Sequence, residues 1–366
     1  MTLALAGDTM LGRGVGQRLG RVGPDELFSP DVVAVAGEAD LFVLNLECAV
    51  SDRGSPWPNP AKPFFFRGPP AVIDVLVHLG VDCVTLANNH ALDFGYEALL
   101  DTRERLISSG ISVVGAGADI EQARAPQMLD AEGFRVGVIG VTDHPAEYAA
   151  EVDRPGVAYA NLSAGLPDWL RSAVASLGAD AVLVTPHWGP NMVPEPLHYV
   201  RAAAAALRQA GATLVAGHSA HVFHGMHDGV LFDLGDFIDD YATGSLRNDL
   251  GLLFLVTLDR SGLRRVEAVP LALDFCYTRL ARGDEADWVQ RHFQAACAAL
   301  GTEATVEDGR LVIECDPGAH TVDSPAETLP RGPRDTNSGD DRAPGGAPQA
   351  EFRFYAELSD FLPVLP

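Results

Sequence analysis

The chain has almost no lysine. Lys62 is the single one, and 26 Lys and Arg face 50 Asp and Glu, for a formal charge of −24. A surface of that sign repels phosphate backbones and anionic lipid, which argues against nucleic acid and acidic membranes as partners. The use of arginine nearly everywhere else reads as a coding bias without functional content. Cysteine is scarce as well. Cys48, Cys83, Cys276, Cys297 and Cys315 form no CxxC pair and sit mostly in apolar runs, as buried free thiols of a reducing compartment do. No apolar stretch approaches the ~20 residues of a membrane helix. Leu3-Ala4-Leu5-Ala6 runs straight into Gly7-Asp8, without a basic or long apolar leader. The expectation is a cytoplasmic chain with no membrane span.

What the sequence does contain is a globular composition, 47% hydrophobic and 21% charged over 366 residues. The expected organisation is one folded domain over 1–315, closed by a helix at 284–300. A disordered Pro-, Gly- and charge-rich segment over 316–350 and an apolar tail over 351–366 follow. Within the folded part, the stretch Val81–Gly95 sets the pattern. Cys83 to Ala87 is a short apolar run of strand character that stops at Asn88-Asn89-His90, before a helical pattern from Tyr96 to Ser108. A strand ending in polar residues before a helix places them at the carboxyl edge of a sheet, where α/β proteins bind ligands.

The same punctuation recurs. Five segments of strand character end in Asp8, in Asn45 with Glu47, in Asn89 with His90, in His187, and in His218 with His221. One histidine after a strand is ordinarily a structural residue; five such ends together are not accounted for in that way. Carboxylate and imidazole ligands suit divalent Zn, Mn, Fe or Co, and a bridged pair of ions needs about six to eight of them. Asp8, Glu47, Asn89, His187, His218 and His221 match that inventory for one or two ions, leaving His90 as a general acid and Asp8 as a second acid–base group.

At these motifs the chain resembles the CapA, or poly-γ-glutamate capsule synthesis (PGA_cap), family of the calcineurin-like metallophosphatase superfamily. The matching pieces are Gly7-Asp8-Thr9-Met10, Asn45-Leu46-Glu47, Ala87-Asn88-Asn89-His90-Ala91-Leu92-Asp93, Pro186-His187-Trp188-Gly189, Gly217-His218 to His221, and Leu234-Gly235-Asp236-Phe237. The resemblance implies an α/β fold in the form of a four-layer α/β/β/α sandwich, with the site at the strand ends. It also implies a γ-polyglutamate-like or other peptide polymer as substrate, and capsule synthesis or export proteins as partners. Four departures stand out. Met10 occupies a position where the superfamily has a ligating histidine. His218 and His221 are spaced one residue wider than GHxH. Asn191 stands where an acidic residue usually follows HWG, and Asp236 where the GNF element has asparagine.

Asn45, Arg67, His144, Asn191 and Asp236 are the candidate substrate contacts. The aromatic group Trp57, Phe64, Phe65 and Phe66 either packs its Pro-rich loop onto the body or walls the substrate. Asp239 and Asp240 either support the histidines or belong to a solvated loop, and His224 and His227 lie further out in a hairpin. Three activities stay open. They are hydrolysis or transfer by a metal-activated water, metal-free peptide epimerisation with Asp8 and a histidine as base and acid, and a non-catalytic role in a polymer synthesis or export complex.

Overall fold

The computed structural model describes residues 1–315. The expected segment 316–350 and tail 351–366 lie outside the described residues. Two sheets form the frame. The larger runs Thr305–Glu307, Arg310–Glu314, Gly262–Asp274, Leu250–Asp259, Thr2–Thr9, Leu41–Leu46, Cys83–Thr85 and Ser112–Val114, with Asp236–Ile238 beside the end of Thr2–Thr9. The smaller runs Met226–His227, Val230–Leu231, Leu214–Ala216, Ala181–His187, Phe134–Thr142 and Gln127–Ala131.

Alternation along the strands separates the layers, because successive side chains point to opposite faces. On Thr2–Thr9, Leu3 and Leu5 join the cluster that also holds Val138, Leu183 and Ala216 of the smaller sheet. Ala4 and Ala6 face the opposite way, onto a cluster with Leu19, Val32, Leu76 and Leu99 from four helices, Arg13–Val22, Pro30–Ala36, Val72–His78 and Gly95–Ser108. The outer face of the smaller sheet, with Val141, Val184 and Val215, packs on Leu170 and Val174 of Asp168–Ser176 and on Val200, Ala204 and Leu207 of His198–Ala210. The four-layer sandwich is therefore the observed architecture.

Three local expectations need correction. The strand opening the Asn-Asn-His stretch is Cys83–Thr85, shorter than the apolar run: the Leu86 N–H makes a last cross-strand bond to the Val114 carbonyl, and the chain then turns, with the Asn88 N–H on the Leu86 carbonyl. The helix Arg13–Val22 was not foreseen, since Gly14, Gly16 and Gly20 each weaken a helix by about 1 kcal/mol. Burial of Val15 and Leu19, about 1.5–3 kcal/mol each, offsets that cost, and a Cβ at Gly14 would stand 3.0 Å from an Asp240 oxygen. Finally, the helix Asp284–Ala299 does not close the fold. Val289, Phe293 and Cys297 on that helix enter the inter-sheet core, and a hairpin follows that pairs Arg265 to Ala268 with Glu314 to Leu311. Among the described residues no helix is long and apolar enough to cross a membrane.

Candidate functional site

Strand register assembles the site. At the carboxyl end of Thr2–Thr9, Asp8 pairs with Asn45 on one side and Asp236 on the other. At the corresponding end of the smaller sheet, His187 bridges His218. One row from each sheet thus meets across the mouth of the sandwich. Ligand atoms of Asp8, Glu47, His221 and Asp236 all lie within 4.8 Å of one another, and all four residues are buried. Asp236, expected as a substrate contact, stands inside this group.

Asn45 orders the row. Its Nδ2 donates to Asp8 Oδ1 at 2.7 Å and lies 3.3 Å from His187 Nδ1, while its Oδ1 accepts from Asn88 Nδ2 at 2.9 Å. Asn45 is therefore a fully buried orienting residue. Asn88 has its own amide committed as well, since it also donates to the Leu46 carbonyl and accepts from the His90 N–H. Asn89 is the one left over: its Oδ1 is buried without a hydrogen-bond partner.

The wide His218–His221 spacing does not separate the two rings. His218 Nδ1 lies 3.4 Å from Asp8 Oδ1, and His221 Nδ1 lies 3.4 Å from Asp8 Oδ2 and 2.8 Å from Asp236 Oδ1. The extra residue is absorbed by left-handed backbone at Ser219 (φ 109°) and His221 (φ 59°). Each such non-glycine residue costs about 1–3 kcal/mol and persists only where its surroundings over-determine it. Here the Ser219 N–H donates to Asp8 Oδ2, the Ala220 N–H to Asp233 Oδ2, and the Ser219 hydroxyl to the Gly189 carbonyl. Met10 instead points into the helix-side core, with its sulfur accepting from the Gly12 N–H at 3.2 Å.

The electrostatics of the cluster are those of a cation site. Burial opposes ionised Asp8, but His218, His187 and His221 together outweigh it and hold the carboxyl well below its usual range. Glu47 is pushed well above its usual value, first by burial and then by the Asp8 charge. Burial, then Asp239 and Asp8, do the same to Asp236. Both oxygens of Glu47, Oδ2 of Asp236, Nε2 of His187 and Nδ1 of His218 are buried without a hydrogen bond. Buried polar groups are nearly always satisfied, and carboxylates without partners are the costliest exceptions. A divalent ion among Asp8, Glu47, His221 and Asp236 would satisfy the Glu47 and Asp236 oxygens, so the donor set fits a metal of the oxygen- and imidazole-binding kind. Cys48, next to Glu47, is no part of it: burial pushes its thiol up to about 12 and it packs in the helix-side core.

A second group flanks the first. His90 Nδ1 lies 2.6 Å from Asp93 Oδ2, and its ring stacks on Phe66 at 3.8 Å. Asp93 Oδ1 meets Lys62 Nζ at 2.9 Å, and the same ammonium donates to the Asn89 carbonyl at 2.9 Å. The solitary lysine is thus a tie between the Pro-rich loop and the Asn-Asn-His stretch. Its uniqueness was the signal that could have found it. Burial brings His90 down to about 4; Asp93 pulls it upward and the Lys62 charge pushes it down again. A neutral His90 that donates Nδ1–H to Asp93 presents a lone pair at Nε2.

The remaining candidates are placed as follows. The Arg67 guanidinium lies 3.5 Å from the Phe94 ring centre, a cation–π contact that engages it away from the carboxylate group. The His144 ring is 5.3 Å from that of His187, and its Nδ1 meets Asp143 Oδ1 at 2.5 Å, so it stands at the rim. Asn191 is half-buried in the loop after Ala181–His187 and makes none of the cluster's hydrogen bonds among the described residues. Asp239 and Asp240 are buried, not solvated: Asp239 accepts from the Tyr241 N–H, and Asp240 from the Gly14 N–H with Arg13 Nε at 3.2 Å. Trp57 donates to Glu147 and packs edge-on to Tyr148, so the aromatic loop is anchored to the body.

His224 and His227 point elsewhere. His227 meets Thr302 at the surface, and His224 Nε2 donates to the Val193 carbonyl at 2.9 Å. Burial lowers His224 to about 4, below the ~6.5 of an unfolded chain. Between those values the unfolded chain binds the proton and the folded one does not. Stability is therefore complete above pH ~6.5 and falls as pH drops toward 4, by up to about 3 kcal/mol. Urea unfolding of His224→Gln should show a shallower loss between pH 7 and 4.5 than the wild type; equal slopes would remove His224 from the acid response.

Residues 2–241 match the family model described as bacterial capsule synthesis protein PGA_cap. A probable polyglutamine synthesis accessory protein of Mycobacterium tuberculosis is 29% identical, over 87% of this chain and 97% of its own. The PGA biosynthesis protein CapA of Bacillus subtilis is 27% identical, over 74% of this chain and 71% of its own. Among solved structures, Haemophilus influenzae NAD nucleotidase is 12% identical with a TM-score of 0.41, covering 81% of this chain and 62% of that one.

Proposed function

Since the chain belongs to the bacterial capsule synthesis family PGA_cap, we propose that it is a metal-dependent hydrolase or transferase acting on poly-γ-glutamate or a related peptide polymer. The observation that carries the reading is the buried quartet of Asp8, Glu47, His221 and Asp236 within 4.8 Å, with three of its carboxylate oxygens unpartnered. Three carboxylates at that separation repel one another strongly in a dry site, and a cation turns the repulsion into binding. His187, His218 and Asn89 extend the donor set toward a second ion, and Asn45 holds Asp8 and His187 in register. Such an ion supplies Lewis acidity and lowers the pKa of water toward ~7. His90, oriented by Asp93, accepts a proton at Nε2 during attack and returns it to the leaving group.

The names of the relatives supply the polymer, and the site supplies the chemistry. Elemental analysis of protein purified without chelator is the direct test. The wild type should carry about one or two equivalents of Zn, Mn, Fe or Co, and the double variant His187→Ala/His218→Ala at least tenfold less. A wild type free of such metal sinks the reading. Solvent deuterium appearing at a glutamyl Cα would point instead to epimerisation in the same pocket.

A further inference from the structure

The unpartnered carboxylate oxygens of the quartet are acceptors, and one unpartnered group beside them is a hydroxyl. Tyr241 has a buried hydroxyl with no hydrogen-bond partner, although its ring is only half-buried. A cation satisfies carboxylate oxygens and imidazole lone pairs; it does nothing for an O–H. That donor needs an acceptor, and it makes no hydrogen bond among the described residues.

Tyr241 is well placed to meet an incoming one. Its backbone is held by the N–H bond to Asp239 Oδ1 at 2.8 Å, directly after strand Asp236–Ile238. Its ring stands edge-on to His221 at 5.4 Å and lies 6.0 Å from Phe66, the ring on which His90 stacks. The phenol therefore spans the gap between the carboxylate group and the proton-accepting histidine, where a reacting centre must sit to use both. Neither the spacing of the motifs nor the relatives' names single this residue out; it follows Asp239-Asp240 at the end of the matched segment.

We propose that Tyr241 is a catalytic residue whose hydroxyl donates a hydrogen bond to an oxygen of the substrate's reacting phosphoryl or acyl centre. A hydrogen bond donated there stabilises negative charge that develops on that oxygen. The inference rests on the metal-dependent reading above, and its test separates the two. The full chain and Tyr241→Phe, which keeps the ring, are loaded with Mn²⁺ and assayed for metal content. Both are then titrated with inorganic phosphate as the oxyanion probe, followed by ³¹P relaxation. The expected result is equal Mn²⁺ content and phosphate affinity about tenfold to a hundredfold weaker in the variant, the worth of one hydrogen bond to a charged acceptor. Equal affinity in the two proteins overturns the proposal, as does a wild type that holds Mn²⁺ but no phosphate. Loss of Mn²⁺ in Tyr241→Phe also overturns it, since the hydroxyl would then serve the metal. A wild type that binds no Mn²⁺ overturns the metal reading itself.

Discussion

Glu47→Gln will stabilise the metal-stripped protein and weaken the stabilisation that metal confers. Glu47 is fully buried, neither of its oxygens has a hydrogen bond, and it shares a 4.8 Å cluster with Asp8 and Asp236. Burial and the Asp8 charge oppose ionised Glu47, so folding of the stripped wild type forces this carboxyl to take up a proton at neutral pH. A neutral isostere of the same volume needs none, so guanidinium unfolding of the stripped variant at pH 7 should require more denaturant than the stripped wild type. With metal present that gain is lost. Loss of one anionic ligand that weakens binding about a hundredfold removes about 2.7 kcal/mol of linkage stabilisation at fixed metal. An ordinary buried carboxylate would shift stability by the same amount under both conditions. A variant that is less stable when stripped, or that keeps the full response to Mn²⁺, would show that the quartet is not a cation site.

Asp93→Ala is the second large effect, and it acts through neighbours. The Asp93 carboxylate is fully buried and accepts from the Phe66 N–H at 2.6 Å, His90 Nδ1 at 2.6 Å and Lys62 Nζ at 2.9 Å. Removing it strands a largely buried ammonium, a change that typically costs about 3–5 kcal/mol. It also frees His90 to rotate, so any activity should fall in kcat more than in KM. The double variant Lys62→Met/Asp93→Ala should cost less than the sum of the single changes, because the uncompensated charge has gone. Additive costs in urea unfolding would show that Lys62 and Asp93 act independently, against the 2.9 Å pairing.

Much of the site was legible because its residues sit at strand ends. A polar residue that halts an apolar run of strand character marks the carboxyl edge of a sheet from local sequence alone, and Asp8, Glu47, Asn89, His187, His218 and His221 were all found that way. The departures from the superfamily pattern were also legible, but their consequences were not. The wider histidine spacing reads as a displacement of one ring; in the fold, left-handed Ser219 and His221 bring both rings to 3.4 Å from Asp8. Asp236 reads as a replaced asparagine and stands as a member of the quartet, because its parallel pairing with Asp8 is a contact across more than two hundred residues.

Local pattern by itself determined the strand ends, the helices with clear apolar periodicity, the absence of a thiolate or disulfide framework, and, with the family resemblance, the two-sheet architecture. Tertiary structure alone decided what those ends do to one another. Lys62 is thirty-one residues from Asp93 and Tyr241 nearly two hundred from Glu47; nothing in either neighbourhood announces a role. The reason is physical. A side chain's propensity is set by its own few neighbours along the chain, whereas charge repulsion, burial and an unsatisfied O–H depend on which distant groups the sheets bring within a few ångströms.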